Sequence, residues 1–90
     1  MVYGLSAALG GRIEFEDGRV VQENFHDYPA LALRDCPRIE THLMNSTEPP
    51  GGIGEPALPP VAPALANALY VLTGRRVRAL PFSLNEEMRA

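Results

Sequence analysis

Glu55 is the residue best placed by its neighbours to do chemistry. It lies in Ser46-Thr47-Glu48-Pro49-Pro50-Gly51-Gly52-Ile53-Gly54-Glu55-Pro56-Ala57-Leu58-Pro59-Pro60. Three glycines and two proline pairs surround this carboxylate. Glycine lets a backbone approach another molecule closely and adopt positive φ, whereas proline fixes φ. The loop is therefore stiff on both sides and permissive in the middle, which suits a ligand-facing or proton-accepting group held by a rigid scaffold. The same pattern also fits a solvated glutamate on a turn. Gly51, Gly52 and Gly54 fit turn geometry alone as well as contact with a bound molecule. The glycine run is not a dinucleotide fingerprint, because it lacks a preceding strand and the required spacing.

Other reactive side chains offer less. His26 and His42 are isolated, with no second ligand at zinc spacing, and read as structural or surface residues. Cys36 precedes Pro37 and reads as part of a turn; nothing in the sequence places it beside a histidine as a nucleophilic pair. A single cysteine excludes an internal disulfide and a four-thiolate iron–sulfur site within this chain. All eight cations are arginine. A Walker-A lysine and Schiff-base catalysis are thereby excluded within the chain. Eight cations against eleven acids give 8 − 11 = −3, which argues against a nucleic-acid surface. Arg75-Arg76-x-Arg78 follows a helix C-terminus, whose negative pole repels anions, so this cluster reads as solvated or partner-facing.

The elements that must position these groups give an α+β fold class. Ninety residues allow one domain. A chain of this size buries a little over ~60% of its unfolded surface, a marginal core. Val2, Leu5, Ala8 and Leu9 recur at helical spacing, and Gly10-Gly11 stops that helix. Arg12-Ile13-Glu14-Phe15-Glu16 alternates, Asp17-Gly18 is a type I′ turn pair, and Arg19 to Phe25 returns as the second arm of an antiparallel hairpin. Ile13 and Phe15 are expected to face a core, with Glu14 and Glu16 in water. Asp27-Tyr28-Pro29 reads as a turn, Ala30-Leu31-Ala32-Leu33 as a short extended piece closed by Asp35-Cys36-Pro37, and Arg38-Ile39-Glu40-Thr41-His42-Leu43-Met44 as a third strand. The long Gly/Pro loop follows; loops of this length are usually functional or disordered, and its prolines argue for a fixed path. Residues 60–73 form a helix that opens with Pro60 in its first turn, is apolar nearly all round and so buried, and ends at the C-cap Gly74. Residues 75–82 read as a final strand.

Gly51-Gly52-Ile53-Gly54-Glu55-Pro56, Pro59-Pro60-Val61-Ala62-Pro63-Ala64-Leu65-Ala66-Asn67-Ala68-Leu69 and Thr73-Gly74-Arg75-Arg76-Val77-Arg78-Ala79-Leu80-Pro81 carry a family likeness. Together with Gly4-Leu5-Ser6-Ala7-Ala8-Leu9 and Asn24-Phe25-His26-Asp27-Tyr28, they make residues 1–82 closely resemble the C-terminal end of the molybdopterin-binding large subunit of molybdenum hydroxylases. This is the xanthine dehydrogenase and aldehyde oxidase superfamily, and the nearest branch resembles the isoquinoline 1-oxidoreductase beta-subunit type. Residues 83–90 match nothing in the family and read as a tail.

The resemblance implies a fragment of a larger molybdopterin-binding domain, with Met1 an internal residue of the parent. It implies that Glu55 is the catalytic general base, taking a proton from an oxygen ligand of the molybdenum during hydroxylation of an N-heteroaromatic or aldehyde substrate. It implies cofactor contact for Gly52 and Gly54, and packing of Phe25 and Tyr28 within their motif. The implied cofactor is molybdenum-pterin, in the cytosine dinucleotide form usual in bacterial relatives. The implied partners are the remainder of the large subunit and a [2Fe–2S] small subunit that accepts electrons. The chain alone is expected to be inactive and cofactor-free. The sequence shows no signal peptide and no apolar run long enough to span a bilayer, and leaves cytoplasm and periplasm both open. The rival reading is a small non-enzymatic α+β module whose proline-rich loop or apolar helix docks a partner, or which self-associates through that helix as a homodimer.

Overall fold

The computed structural model describes residues 1–83; of the expected tail, all but Ser83 lies outside the described residues. In chain order the elements are helix α1 (Val2–Gly10), strands β1 (Phe15–Glu16) and β2 (Arg19–Val20), a 3-10 turn (Leu33–Asp35) and helix α2 (Val61–Thr73). The mixture of helices with an antiparallel pair matches the expected α+β class.

Helix α1 ends where Gly11 donates its N–H to the Ala7 carbonyl at 3.1 Å. A Cβ at Gly11 would sit 2.8 Å from that same oxygen, so the turn admits only glycine without a shift of backbone. Helix α2 begins after Pro60 (φ −76°), and Pro63 falls in its first turn, where a missing N–H breaks no bond. Its last turn is closed three ways. Gly74 takes φ 71° and donates to Tyr70 O at 2.8 Å; Thr73 Oγ1 donates to Leu69 O at 2.8 Å; Arg75 N–H donates to Thr73 Oγ1 at 3.2 Å.

The two helices pack together, and the core lies between them. Ala8, Leu69 and Phe82 are its buried residues, flanked by half-buried Leu9, Ala62, Leu65, Ala66 and Val77. Gly4 marks a close approach, since a Cβ there would lie 3.0 Å from Val61 Cβ and Cγ2. The Phe82 N–H donates to Ala8 O at 2.7 Å, tying the segment after α2 back to α1. Ser6 Oγ accepts the Leu31 N–H at 2.9 Å and tethers the middle of the chain to the same helix.

The hairpin forms as its sequence dictates. Asp17 (φ 49°) and Gly18 (φ 75°) supply the two positive φ values that a type I′ turn needs. Phe15 pairs with Val20 and Glu16 with Arg19. Beyond the strands, Val21 N–H donates to Glu14 O at 2.9 Å, and Glu14 N–H to Gln22 Oε1 at 2.7 Å.

Four expectations fail, and for one common reason. Ile13 and Phe15 do not face a core: they are 48% and 70% exposed, because among the described residues no second layer covers the hairpin. Residues 38–44 form no third strand, and residues 75–82 no final strand. Alternation prepares a segment for a sheet, but a strand exists only where a neighbour completes the ladder. Helix α2 is not buried all round; Leu69 is its buried residue, while Val71 and Leu72 are 82% and 74% exposed. Elements read as half-buried or buried have nothing here to bury them. The dimensions agree. The Cα radius of gyration is 16.4 Å, against about 12 Å for a compact chain of this length. The accessible surface is 8020 Å², against roughly 5,200 Å² for a folded monomer of this mass.

Candidate active site

Every residue from 37 to 60 is exposed, so the Glu55 loop runs over the surface for its whole length. Its two halves differ. Upstream, the local bond is Glu48 N–H to Ser46 Oγ at 3.1 Å. Downstream, Glu55 O accepts Leu58 N–H at 2.9 Å, Leu58 O accepts Val61 N–H at 3.3 Å, and Pro60 O accepts Ala64 N–H at 3.0 Å. Consecutive tight turns therefore join the Glu55 main chain to the first turn of α2. Pro56, Pro59 and Pro60 hold their own φ values through this stretch. The backbone that carries the carboxylate is thus fixed relative to a helix, while its side chain projects into solvent.

Among the described residues, that side chain forms no ion pair and no hydrogen bond. Other acidic groups are paired: Glu14 with Arg12 at 2.8 Å, Asp27 with His26 at 2.6 Å, Asp35 with Arg34 at 3.4 Å and Glu40 with Arg38 at 2.5 Å. The glycines before Glu55 divide into two kinds. Gly52 has φ 105°, a conformation side-chain-bearing residues rarely adopt, so local geometry demands it. Gly51 and Gly54 have ordinary φ, and a Cβ on either would meet no atom within 4 Å. Among the described residues, nothing requires glycine at those two positions.

The other reactive residues do not join Glu55. His26 Nε2 lies 2.6 Å from Asp27 Oδ1, and His42 Nε2 lies 3.8 Å from Glu40 Oε2; both histidines are exposed and paired with near neighbours in sequence. Cys36 is half-buried at the end of the 3-10 turn. Among the described residues, no group of three or more His, Cys, Asp or Glu side chains could hold a metal ion. Asn24-Phe25-His26-Asp27-Tyr28 is a turn, with Asp27 N–H on Asn24 O at 3.1 Å and Phe25 N–H on Asn24 Oδ1 at 2.8 Å. The expected packing of Phe25 is absent: the ring is 94% exposed. An open depression of about 440 Å³ is walled by Ser6, Leu9, Pro29, Leu31, Asp35 and Phe82, and Glu55 is not in its wall.

Sequence reasoning missed one contact near α2. The Arg76 guanidinium lies 3.7 Å from the Tyr70 ring centroid, and its Nη1 reaches Asn67 Oδ1 at 3.4 Å. The arginine folds back along the helix over the Gly74 cap. The available signal was an aromatic residue in the last turn followed by an arginine just beyond a glycine.

No protein-family model matches the chain, and no solved structure does. Characterised proteins do match. The beta subunit of isoquinoline 1-oxidoreductase from Brevundimonas diminuta is 36% identical over 81 residues, 90% of this chain and 10% of that protein. The molybdenum-binding subunit of an aldehyde oxidoreductase from Escherichia coli K12 is 33% identical over 94 aligned residues, 96% of this chain and 13% of that subunit. The chain is homologous to one segment of the large subunit of molybdenum hydroxylases. A third relative, a membrane-bound aldehyde dehydrogenase of Gluconacetobacter polyoxogenes named for pyrroloquinoline quinone, is 36% identical over 80 residues, 89% of this chain and 10% of that protein. The chain spans about a tenth of the length of the first of these curated molybdenum hydroxylase relatives. A match covering 90% of 90 residues leaves out 90 − 81 = 9, so it must include residues 10–81 and with them the Glu55 loop and α2.

Proposed function

We propose that residues 1–82 supply the general-base segment of a molybdenum-pterin oxidoreductase that hydroxylates N-heteroaromatic or aldehyde substrates. The observation that carries this reading is Glu55 itself, an exposed carboxylate without a side-chain partner among the described residues, on a backbone fixed to α2. An acid kept free of local arginines is available to accept a proton from elsewhere. Its fixed main chain spares part of the cost of orienting it before reaction.

The residues present fit a supporting role beside the cofactor. Among the described residues there is no cluster of metal ligands, but Gly51, Gly52 and Gly54 leave open space where a bulky group can approach the main chain. Gly52 and Gly54 line the cofactor, and Gly52 sets the bend that turns the following residues toward it. A bound molybdenum-pterin group, in its cytosine dinucleotide form, would supply electrophilic assistance and an acceptor for the substrate's electrons. A Glu55 carboxylate oxygen receives the proton released as substrate is hydroxylated. The remainder of the large subunit holds the cofactor and substrate, and a [2Fe–2S] small subunit takes the electrons onward. The chain alone is inactive and binds no molybdenum.

The test is Glu55→Gln within a full-length large subunit. Losing a general base lowers turnover by about 10²- to 10⁴-fold, with molybdenum content unchanged. A variant that keeps wild-type turnover removes Glu55 from the chemistry. Metal analysis of the purified chain checks the second claim, and stoichiometric molybdenum would refute it. The name of the Gluconacetobacter relative favours one alternative, a quinone-dependent parent; a full-length subunit active with quinone and without molybdenum would establish it.

A further inference from the structure

Residues 38–44 are the segment whose sequence and structure disagree most. Arg38-Ile39-Glu40-Thr41-His42-Leu43-Met44 alternates as an amphipathic strand does. No N–H or C=O of residues 37–45 is hydrogen-bonded to another described residue. The side chains are nevertheless already sorted. Glu40 pairs with Arg38 at 2.5 Å and lies 3.8 Å from His42, which puts three polar groups together along one side. Ile39 and Leu43 occupy alternate positions, 42% and 88% exposed. Pro37, which cannot donate to a ladder, stands just before the segment, where a strand tolerates it.

We infer that residues 38–44 add as a strand to the edge of a sheet provided by the remainder of the large subunit. Ile39, Thr41 and Leu43 turn toward that subunit's interior, and Arg38, Glu40 and His42 stay in water. This inference rests on the proposed function, because the relatives are about ten times longer than this chain and their remaining length is the source of the partner sheet. Seven residues span about 23 Å, an ordinary strand length. Main-chain hydrogen bonds give such an addition its affinity, and alternate side chains give its register. A polar row facing solvent and an apolar row facing protein is the pattern of an antiparallel strand with one solvated face.

Hydrogen exchange tests this in two proteins: the chain alone, and the Escherichia coli aldehyde oxidoreductase subunit carrying residues 1–83 in place of its matched segment. Amides of residues 38–44 exchange freely in the chain alone and are slowed roughly 100-fold or more in the chimera, as ladder amides are. At least one of Glu40→Pro and Thr41→Pro abolishes that protection, since proline removes a ladder donor. Neither changes the helicity of the chain alone, where those donors are unbonded. If the chimera does not fold, the same measurement on the unaltered Escherichia coli subunit, at the residues aligned with 38–44, decides the matter. Fast exchange there, or in a folded chimera, overturns the inference. So does protection in the chain alone together with sedimentation as a dimer, which would make a second copy the partner. The chimera with Glu55→Gln separates this outcome from that of the proposed function: retained turnover removes the general base whatever the exchange rates.

Discussion

Leu69 and Leu72 lie three residues apart on α2 with opposite surroundings, and their truncation gives a sharp test of where the core is. Leu69 is 3% exposed, between Ala8 and Phe82. Leu72 is 74% exposed. Leucine-to-alanine changes in cores cost about 2–5 kcal/mol, the spread reflecting how far the site collapses. Among the described residues, Ala8 and Phe82 are buried alongside Leu69, and its other neighbours in the cluster are half-exposed and able to move. Leu69→Ala therefore falls near the low end, about 2–3 kcal/mol. The low edge of ordinary stability, about 0.05 kcal/mol per residue, gives this chain roughly 4–5 kcal/mol in total. Leu69→Ala removes about half of that. Leu72→Ala changes stability by no more than about 0.5 kcal/mol, as exposed substitutions do. Urea unfolding followed by far-ultraviolet circular dichroism measures both, with the midpoint moving and the slope unchanged. Equal losses for the two variants would refute the placement of the core. In a full-length large subunit that covers the exposed side of α2, the Leu72→Ala cost rises to about 2 kcal/mol, a buried-leucine value.

Three further outcomes follow from local geometry. Gly4→Ala gains about 1 kcal/mol of helix propensity, yet its new methyl meets Val61 Cβ and Cγ2 at 3.0 Å. Val61 is the first residue of α2 and shifts only with the helix, so overpacking of about 1–3 kcal/mol wins and the melting temperature falls. Gly74→Ala places a methyl at φ 71° and costs about 1–2 kcal/mol in the same urea assay. Arg76→Ala removes the guanidinium from the Tyr70 face; the loss is about 0.5–1 kcal/mol, and tyrosine fluorescence reports the exposed ring.

The features legible from sequence are those decided within a few residues. Asp17-Gly18 determines the hairpin because the turn needs only two residues at positive φ. Pro60 and Gly74 bound α2 because each end is a local question about one N–H or one φ. The packing role of Gly4 is not legible in the sequence because it depends on Val61, far along the chain. The strands expected at residues 38–44 and 75–82 failed because alternation says which side a residue would bury without supplying a partner. The apolar circumference of α2 was read as burial for the same reason, and Val71 and Leu72 show that composition does not provide the cover. Glu55 is a separate case. Its flanking residues mark a constrained loop, but the role proposed for it rests on the likeness of the whole segment to molybdenum hydroxylases. The geometry adds that the main chain is anchored and the carboxylate free.

The hydrogen bond from Phe82 to Ala8 has an evolutionary consequence. It closes a circuit whose two fixed points, α1 and the stretch after α2, share one small hydrophobic junction. Among the described residues, none between Pro37 and Ile53 belongs to that junction, whereas Leu58 packs beside Gly4 of α1. Lengthening a flexible connector costs little, about 0.6 kcal/mol per doubling. Insertions and deletions in the first part of the loop, before Gly52, are therefore tolerated. The distance the loop reaches can drift between homologues while the turns that seat Glu55 on α2 stay as they are.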